Sequence, residues 1–450
     1  MPDYLDRLAA FARALTFATL SPSAIAAARR VVLDTCGAML AGSRRPENTH
    51  LARLVAERSR GGRASLVGHA LHAEPMLAAL ANATAGVSLE VDEGNRWGGG
   101  HPAIHVLPAA LAVAEEVGAD GPRLIEALVA GYEIVSRIGG ATQARANVHS
   151  HGTWGTLGAA VATAKLLGEP ALGAVVNLAA SMSPANTWTP CFEGATIRNL
   201  YPGRSSLQGI LAAHLHRCGF TGVADGPGDV YGSILADGFE PERAVHGLGE
   251  APLRIEANYF KFHACCLYNH PALDAVEEIR GTARFEPGDV ARVSVRSIPF
   301  VTRMAEPAPA AMLAAKFSIP YAVAAALVLG RTDVTAFTED VLEDPGVRAL
   351  AKRVEVTADP AMSLRRDDQP VATVTVTLTD GRTLSRSTRV VRGDAANPRP
   401  EEELVAKFLA LAAPVLGEQR AANVVALTSR LERVGDVREL SALLSPPAVP

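Results

Sequence analysis

The segment Val371-Ala-Thr-Val-Thr-Val-Thr-Leu378 alternates apolar and polar side chains, which is the pattern of a half-buried β-strand. Asp380-Gly381 follows it with the residue types that hairpin turns prefer, and residues 383–391 then supply a returning strand. The same alternation occurs upstream in 290–296 and in 353–357. These four segments predict a small β-sheet in the second half of the chain.

Outward from this sheet, apolar residues recur at helical spacing. A helix that begins with a Ser-Pro pair is predicted over 22–42, and two more are predicted over 122–139 and 156–167. A strongly apolar stretch, 314–329, lies between the predicted strands and predicts another helix. The tail from residue 401 onward has helical periodicity again.

These patterns predict a mainly α protein with two domains. Residues 1–258 and 406–450 would form a large all-α helical domain, and residues 259–405 a smaller α+β lid domain. A chain of 450 residues has room for two or three domains and buries a core without disulfides. The cleft between two such domains is a usual place for a ligand.

The composition excludes several classes of protein. Hydrophobic residues make up 48% and charged residues 20%, as in globular proteins, and a net charge of −4 without a basic cluster argues against nucleic-acid binding. The five cysteines have no metal-binding spacing and predict free thiols in a reducing compartment. Because no apolar run spans a bilayer and the N-terminus does not resemble a signal peptide, we expect a cytoplasmic protein without a membrane partner.

Polar segments interrupt the apolar helices, and the first of them, 89–105, combines acids, glycines and two histidines. Its Gly-Gly-Gly-His-Pro run places the histidines at a helix entrance, where the macrodipole lowers a histidine pKa and favours a neutral general base. His105 is the preferred base, with Glu90 or Asp92 orienting it through its other ring nitrogen. His101 is the competitor, and the alternative is a capping histidine among solvated acids.

A second segment, 147–156, places His149 and His151 before another helix. These two could join His101 and His105 as metal ligands. However, zinc sites usually have a short, recognisable ligand spacing, which is missing here, so no metal is predicted.

The third segment, 186–205, is a long stretch predicted to lack regular structure, and such stretches in a compact domain are often functional. It contains Arg198 and Arg204, whose planar guanidinium groups suit carboxylates. The alternative is a surface loop with ordinary arginines.

The fourth segment, 258–270, combines Lys261, Cys265, Cys266 and His270 ahead of an apolar helix. A nucleophilic Cys–His pair is one interpretation, and buried small thiols are the simpler one. The chain has no nucleotide-binding glycine loop, no HExxH and no GxSxG motif. The sequence therefore predicts no cofactor, and its His, Lys, Arg, Tyr and carboxylate groups suit proton transfer on an acidic substrate.

In this order, the segments resemble the MmgE/PrpD family, which includes 2-methylcitrate dehydratases, cis-aconitate decarboxylases and iminodisuccinate epimerases. The resemblance covers nearly the whole chain and implies a helical domain with a smaller lid, a homodimer and no cofactor. It is carried by LDTCGAMLAGS (33–43), HPAIH (101–105), HGTWGTLGAAVATAKLLG (151–168), GATIRNLYPGR (194–204), KFHACCLYNH (261–270), AAKFSIPYAVAAAL (314–327), TDGR (379–382) and RGDAANPRPEEELVAKF (392–408).

The resemblance also implies roles for individual residues. Glu90 stands where the family usually has Asp, Arg198 where it has Lys, and Cys266 where the decarboxylases have a catalytic His. Lys261 matches the family lysine directly, and Tyr321 matches the tyrosine after Phe-Ser. The implied catalytic residues are His105, Glu90, Asp92, His149, Lys261 and Tyr321, and the implied substrate-binding residues are Arg198, Tyr201, Arg204, His101, His151, Cys266 and His270.

Three functions follow from these residues. The first is a cofactor-independent lyase of the dehydratase or decarboxylase type, which transfers a proton at the carbon α to a carboxylate of a small di- or tricarboxylate. The second is an epimerase or isomerase of a dicarboxylate, which needs the same acid–base groups. The third is a non-catalytic relative that binds a carboxylate. The sequence leaves all three open.

Overall fold

The structure is a computed structural model that describes residues 1–363 and 371–446. The protein is mainly α, as predicted. Its α-helices are α1 (Asp3–Ala14), α2 (Pro22–Ser43), α3 (Pro46–Arg58), α4 (Pro75–Val87), α5 (Pro102–Val117), α6 (Gly121–Ala141), α7 (Gly155–Leu166), α8 (Leu172–Ser181), α9 (Thr189–Glu193), α10 (Leu200–Arg217), α11 (Pro241–Val245), α12 (His270–Thr282), α13 (Met312–Ala315), α14 (Ile319–Leu329), α15 (Glu339–Leu342), α16 (Pro345–Ala351), α17 (Glu401–Leu416), α18 (Glu418–Thr428) and α19 (Arg438–Leu444).

The predicted helix starts follow from local capping. The Ser21 hydroxyl accepts a hydrogen bond from the Ala24 N–H at 3.1 Å, and Pro22 occupies the first position of α2. Helix α6 runs through Gly139, where the sequence predicts its end. A Cβ at Gly139 would come 2.1 Å from the carbonyl oxygen of Gly98. The missing side chain therefore lets the polar loop before α5 pack directly against α6.

The larger sheet has the predicted strands. It contains β5 (Val290–Ser297), β6 (Val354–Ala358), β7 (Ala372–Leu378) and β8 (Thr383–Thr388) in the order β6-β5-β7-β8. β5 pairs with β6 in parallel, and the other two pairs are antiparallel. β8 ends at Thr388 rather than at the predicted residue 391. The reason is that β7 begins at Ala372, opposite Thr388, and offers no partner farther along.

Several local predictions are wrong. The apolar stretch 314–329 forms two helices, because Ser318 caps α14 by accepting from the Tyr321 N–H at 3.0 Å. The segment 186–205 contains α9 and the first turns of α10. Short strands also occur outside the predicted lid: β1 (Ala64–Ser65) pairs with β2 (His72–Ala73), and β3 (Thr142–Ala144) pairs with β4 (Ala236–Phe239).

Two hydrophobic clusters hold the fold together. One contains the apolar faces of the helices before residue 256 and of the C-terminal helices after residue 407. The other surrounds the four-stranded sheet together with α12, α14 and α16. The boundaries of the two domains stay a prediction. None of the helices in the described part of the chain is long and apolar enough to cross a bilayer.

Candidate active site

A cavity of about 310 Å³ lies where the polar segments meet, within the size range of small-molecule sites. One side is polar and the other is apolar and aromatic. The polar side is lined by Glu90, Asn95, Arg96, His101, His149, Ser150, Arg198, Tyr259 and Cys266, and the apolar side by Trp188, Leu267, Tyr268, Ile298, Pro299, Phe300, Phe317 and Met362.

Glu90 is the centre of a buried charge cluster. Its carboxylate lies 2.5 Å from Arg198 Nη1 and 3.0 Å from Lys261 Nζ, and Lys261 Nζ is also 3.6 Å from Asp92 Oδ1. Burial alone raises the pKa of Glu90, but the charges of Arg198 and Lys261 outweigh it, so the pKa lies below its usual range. The four side chains thus form two cations and two anions closed off from solvent.

The backbone at Glu90 is in the left-handed region, with φ at +55°. A non-glycine residue rarely adopts this conformation, and it usually marks a site where surrounding contacts hold it in place. Lys316 supplies such a contact: its Nζ donates to the carbonyl oxygens of Leu89 and Ala264, at 3.1 Å each. Burial lowers the pKa of Lys316 to about 7. This lysine ties the segment of Glu90 to the segment of Cys266.

His101 joins the charge cluster to the cavity. It is the residue before α5, and its Nδ1 lies 3.0 Å from Asp92 Oδ2 and 2.8 Å from the Glu93 carbonyl oxygen. Among the described residues its Nε2 has no hydrogen-bond partner, and the ring lines the cavity. His101 therefore has the geometry of a proton-transfer group: one nitrogen is fixed by an acid and the other is open to a ligand.

His105 has a different geometry from the one predicted. Its Nδ1 donates to the His101 carbonyl oxygen at 2.7 Å, and its Nε2 accepts from the Gly152 N–H at 2.9 Å. Burial lowers its pKa to about 4, and it is not among the residues that line the cavity. Gly155 makes room for this ring, because a Cβ there would lie 2.3 Å from it. A catalytic role for His105 stays a prediction, but its contacts favour holding the loop before α7 against α5.

The second polar segment supplies one histidine that lines the cavity and one that is buried. His149 lines the cavity, stacks on Trp188 with ring centroids 3.9 Å apart, and accepts from the His151 N–H at 3.0 Å. His151 is buried and stacks on His101 at 4.3 Å. Burial holds the pKa of both imidazoles well below the usual value, so both rings are neutral.

Besides Asp92, Lys261, His105 and His151, four more predicted residues lie outside the cavity lining. Tyr321 is buried and donates through its hydroxyl to the Ala336 carbonyl oxygen at 3.0 Å. His270 begins α12 and contacts the Cys265 carbonyl oxygen at 3.2 Å. Tyr201 and Arg204 lie on α10, which begins earlier than predicted; Arg204 is exposed and lies over the Tyr201 ring. From segment 186–205, Arg198, just before α10, and Trp188 line the cavity.

One more acid of the segment 89–105 supports the site. Glu93 is buried, accepts from the Ala103 N–H at 2.7 Å and from the Tyr132 hydroxyl at 2.9 Å, and burial raises its pKa to about 8. It fixes the first turn of α5, which carries His105. Sequence reasoning missed Lys316 and the aromatic side of the cavity. A lysine inside an apolar helical stretch is the one signal that could have drawn attention to Lys316.

All five cysteines are free, as predicted. Cys266 lines the cavity, and burial raises its pKa to about 12, so it is a neutral thiol. The adjacent Cys265 is buried behind it. A neutral thiol is a poor nucleophile, which disfavours the Cys–His interpretation.

The metal ligands considered from the sequence are only partly brought together. Within the described residues, the ligand atoms of Asp92, His101 and His151 lie within 4.8 Å of one another. His105 does not join them, because both of its ring nitrogens are bound to the backbone. Lys261 lies beside Asp92 and opposes a cation there.

Comparisons with known proteins cover nearly the whole chain. The family model of the MmgE/PrpD N-terminal domain matches residues 6–232, and that of the MmgE/PrpD C-terminal domain matches residues 263–433. A cis-aconitate decarboxylase of Aspergillus terreus is 26% identical, over 93% of this chain and 91% of its own. The cis-aconitate decarboxylase of Homo sapiens is 28% identical over 96% and 92%, and that of Mus musculus 27% identical over 83% and 79%. The predicted family and the predicted class of enzyme, a lyase, are confirmed. The chain belongs to the MmgE/PrpD family.

Proposed function

We propose that this protein is a cofactor-independent carboxylate lyase that transfers a proton at the carbon α to a carboxylate of a small organic acid, with decarboxylation as its reaction. The observation that carries the proposal is the pairing of His101 with Asp92 at the wall of a cavity that also contains Arg198. The relatives described above are decarboxylases by name, which supports decarboxylation over dehydration.

Arg198 is the proposed anchor for the substrate carboxylate. Its Nη1 lies beside Glu90, while its Nε is buried and has no hydrogen-bond acceptor among the described residues. A buried donor without an acceptor costs about 1–3 kcal/mol, so a ligand oxygen at this position is favoured. Lys261 adds a second positive charge behind Glu90, and Glu90 keeps both cations in place.

His101 is the proposed proton donor. When the substrate loses CO2, the carbon–carbon bond breaks and its electron pair stays on the carbon α to the retained carboxyl group. His101 Nε2 then gives its proton to that carbon and takes another from solvent. The charges of Lys261 and His101 outweigh the effect of burial and hold the pKa of Asp92 below its usual range, so Asp92 stays ionised and stabilises the imidazolium form.

The test is turnover in heavy water with citrate-like, aconitate-like and aminodicarboxylate substrates. We expect one CO2 released and one solvent deuteron incorporated per product molecule. Loss of water without CO2 would instead indicate a dehydratase, and deuterium exchange with inversion would indicate an epimerase. Binding without either exchange or product would identify the non-catalytic relative.

Activity should survive removal of metal ions. Lys261 lies 3.6 Å from Asp92 and already neutralises the carboxylate that a divalent cation would need. We therefore expect kcat to change by less than about twofold after exhaustive dialysis against a chelator. Activity that disappears and returns with an added metal would contradict this, and would assign the ion to Asp92, His101 and His151.

A further inference from the structure

The apolar side of the cavity is built from aromatic side chains of separate chain segments. Trp188, Tyr268 and Phe300 are half-buried and line the cavity together with the buried Phe317. The Phe300 ring lies 4.8 Å from that of Trp188 and 4.6 Å from that of Tyr268, centroid to centroid. These rings therefore present one continuous apolar wall.

The aromatic wall meets the polar side of the cavity at Trp188. Trp188 stacks on His149, so its ring lies at the border between the two sides of the cavity. Phe192 belongs to the same aromatic group, with its ring 6.4 Å from Phe300, but it does not line the cavity. A ligand that reaches from Arg198 past Trp188 would place its far end against Tyr268 and Phe300.

Among the described residues, most of the positive charges on the opposite side of the cavity are paired with acids. Lys261 and Arg198 are matched by Glu90 and Asp92, and Arg96 pairs with Asp394 at 2.9 Å. With the imidazolium form of His101 that the proposed reaction uses, the described charged side chains that line or back the cavity carry one excess positive charge. His149 is neutral. A third carboxylate on a ligand would therefore be buried with little compensation, which is costly.

From these two observations we infer that the substrate is a dicarboxylate with an aromatic or branched apolar substituent of about phenyl size, rather than a tricarboxylate. The inference deepens the proposed function and rests on it for the chemistry. The carboxylate would bind Arg198, the reacting carbon would lie near His101, and the substituent would pack on Tyr268 and Phe300.

Binding of three unreactive acids tests this class directly. Succinate, benzylsuccinate and propane-1,2,3-tricarboxylate would be titrated into the full-length protein by calorimetry. Burial of a phenyl group against aromatic rings favours binding by about tenfold to a hundredfold. We expect benzylsuccinate to bind at least tenfold more tightly than succinate, and the tricarboxylate to bind no more tightly than succinate.

Variants of the aromatic side chains test where the benzyl group binds. Tyr268→Ala and Phe300→Ala should each remove most of the gain from the benzyl group, lowering benzylsuccinate affinity at least fivefold more than succinate affinity. Phe192→Ala is the matched control, since this ring belongs to the same aromatic group but lies outside the cavity lining, and it should keep the gain. Because Tyr268 and Phe300 are only half-buried, both variants should fold.

Three outcomes would overturn the inference: tighter binding of the tricarboxylate than of benzylsuccinate, no gain from the benzyl group, or equal loss in Phe192→Ala. The last would mean that the rings only hold chain segments together. Because these titrations need no turnover, they are independent of the proposed reaction. A benzyl preference without deuterium incorporation would support the ligand class and reject the lyase chemistry.

Discussion

Replacement of His101 with glutamine is expected to lower kcat by about 10²–10⁴-fold, the usual contribution of a general acid or base. The reason is geometric. Nδ1 is fixed 3.0 Å from the Asp92 carboxylate, and Nε2 is the ring nitrogen open to a ligand. Glutamine retains a polar group of similar reach but cannot shuttle a proton. Steady-state kinetics on the folded variant would measure the loss, and KM should change much less than kcat.

His105→Gln is the matched control, because His105 lies four residues farther along and was the base preferred from the sequence. Its ring is buried and both nitrogens contact backbone groups. We expect this variant to lose about 1–3 kcal/mol of unfolding free energy, since a buried hydrogen-bonded group is disturbed. Its kcat should stay within a few-fold of the parent. A folded His105→Gln that loses 10²-fold or more, with His101→Gln near the parent, would reverse the assignment.

The choice between these histidines shows where sequence reasoning ends. The Gly-Gly-Gly-His-Pro run correctly predicts a helix entrance, since α5 begins at Pro102. Periodicity cannot determine which ring faces the cavity. That depends on Gly155 and Gly152, which approach His105 from the next polar segment. Contacts between segments so far apart in the chain depend on tertiary packing, and local sequence patterns do not predict them.

More of the fold than of the site could be predicted from the sequence, because the patterns that predict helices and hairpins are local. The hairpin follows from period-two alternation and an Asp-Gly turn, and α2 begins where a Ser-Pro pair predicts it. The aromatic wall, in contrast, brings together Trp188, Tyr268 and Phe300, each an ordinary residue in its own segment. Its existence is a property of the assembled cavity.

The sequence does identify Arg198 and Lys261 as cations on polar segments. What it does not predict is that both contact the same carboxylate, Glu90. Because the two cations share this partner, replacing either of them is expected to change the stability of the fold as well as substrate binding. Removal of one member of a buried ion pair leaves its partner poorly compensated and typically costs 3–5 kcal/mol. Stability and substrate binding must therefore be measured separately in any variant of this cluster.

Arg198→Ala is expected to raise KM by about 10²-fold, since the loss of a charge-assisted contact to a carboxylate costs about 2–5 kcal/mol. Arg198→Lys should recover only part of the affinity, because an ammonium group lacks the bidentate fork. The matched control is Arg204→Ala. Arg204 was also predicted to bind carboxylate but is exposed and lies outside the cavity lining, so its KM should not change. Thermal unfolding of each variant separates loss of fold from loss of binding. Unchanged KM in a folded Arg198→Ala would reject Arg198 as the carboxylate anchor.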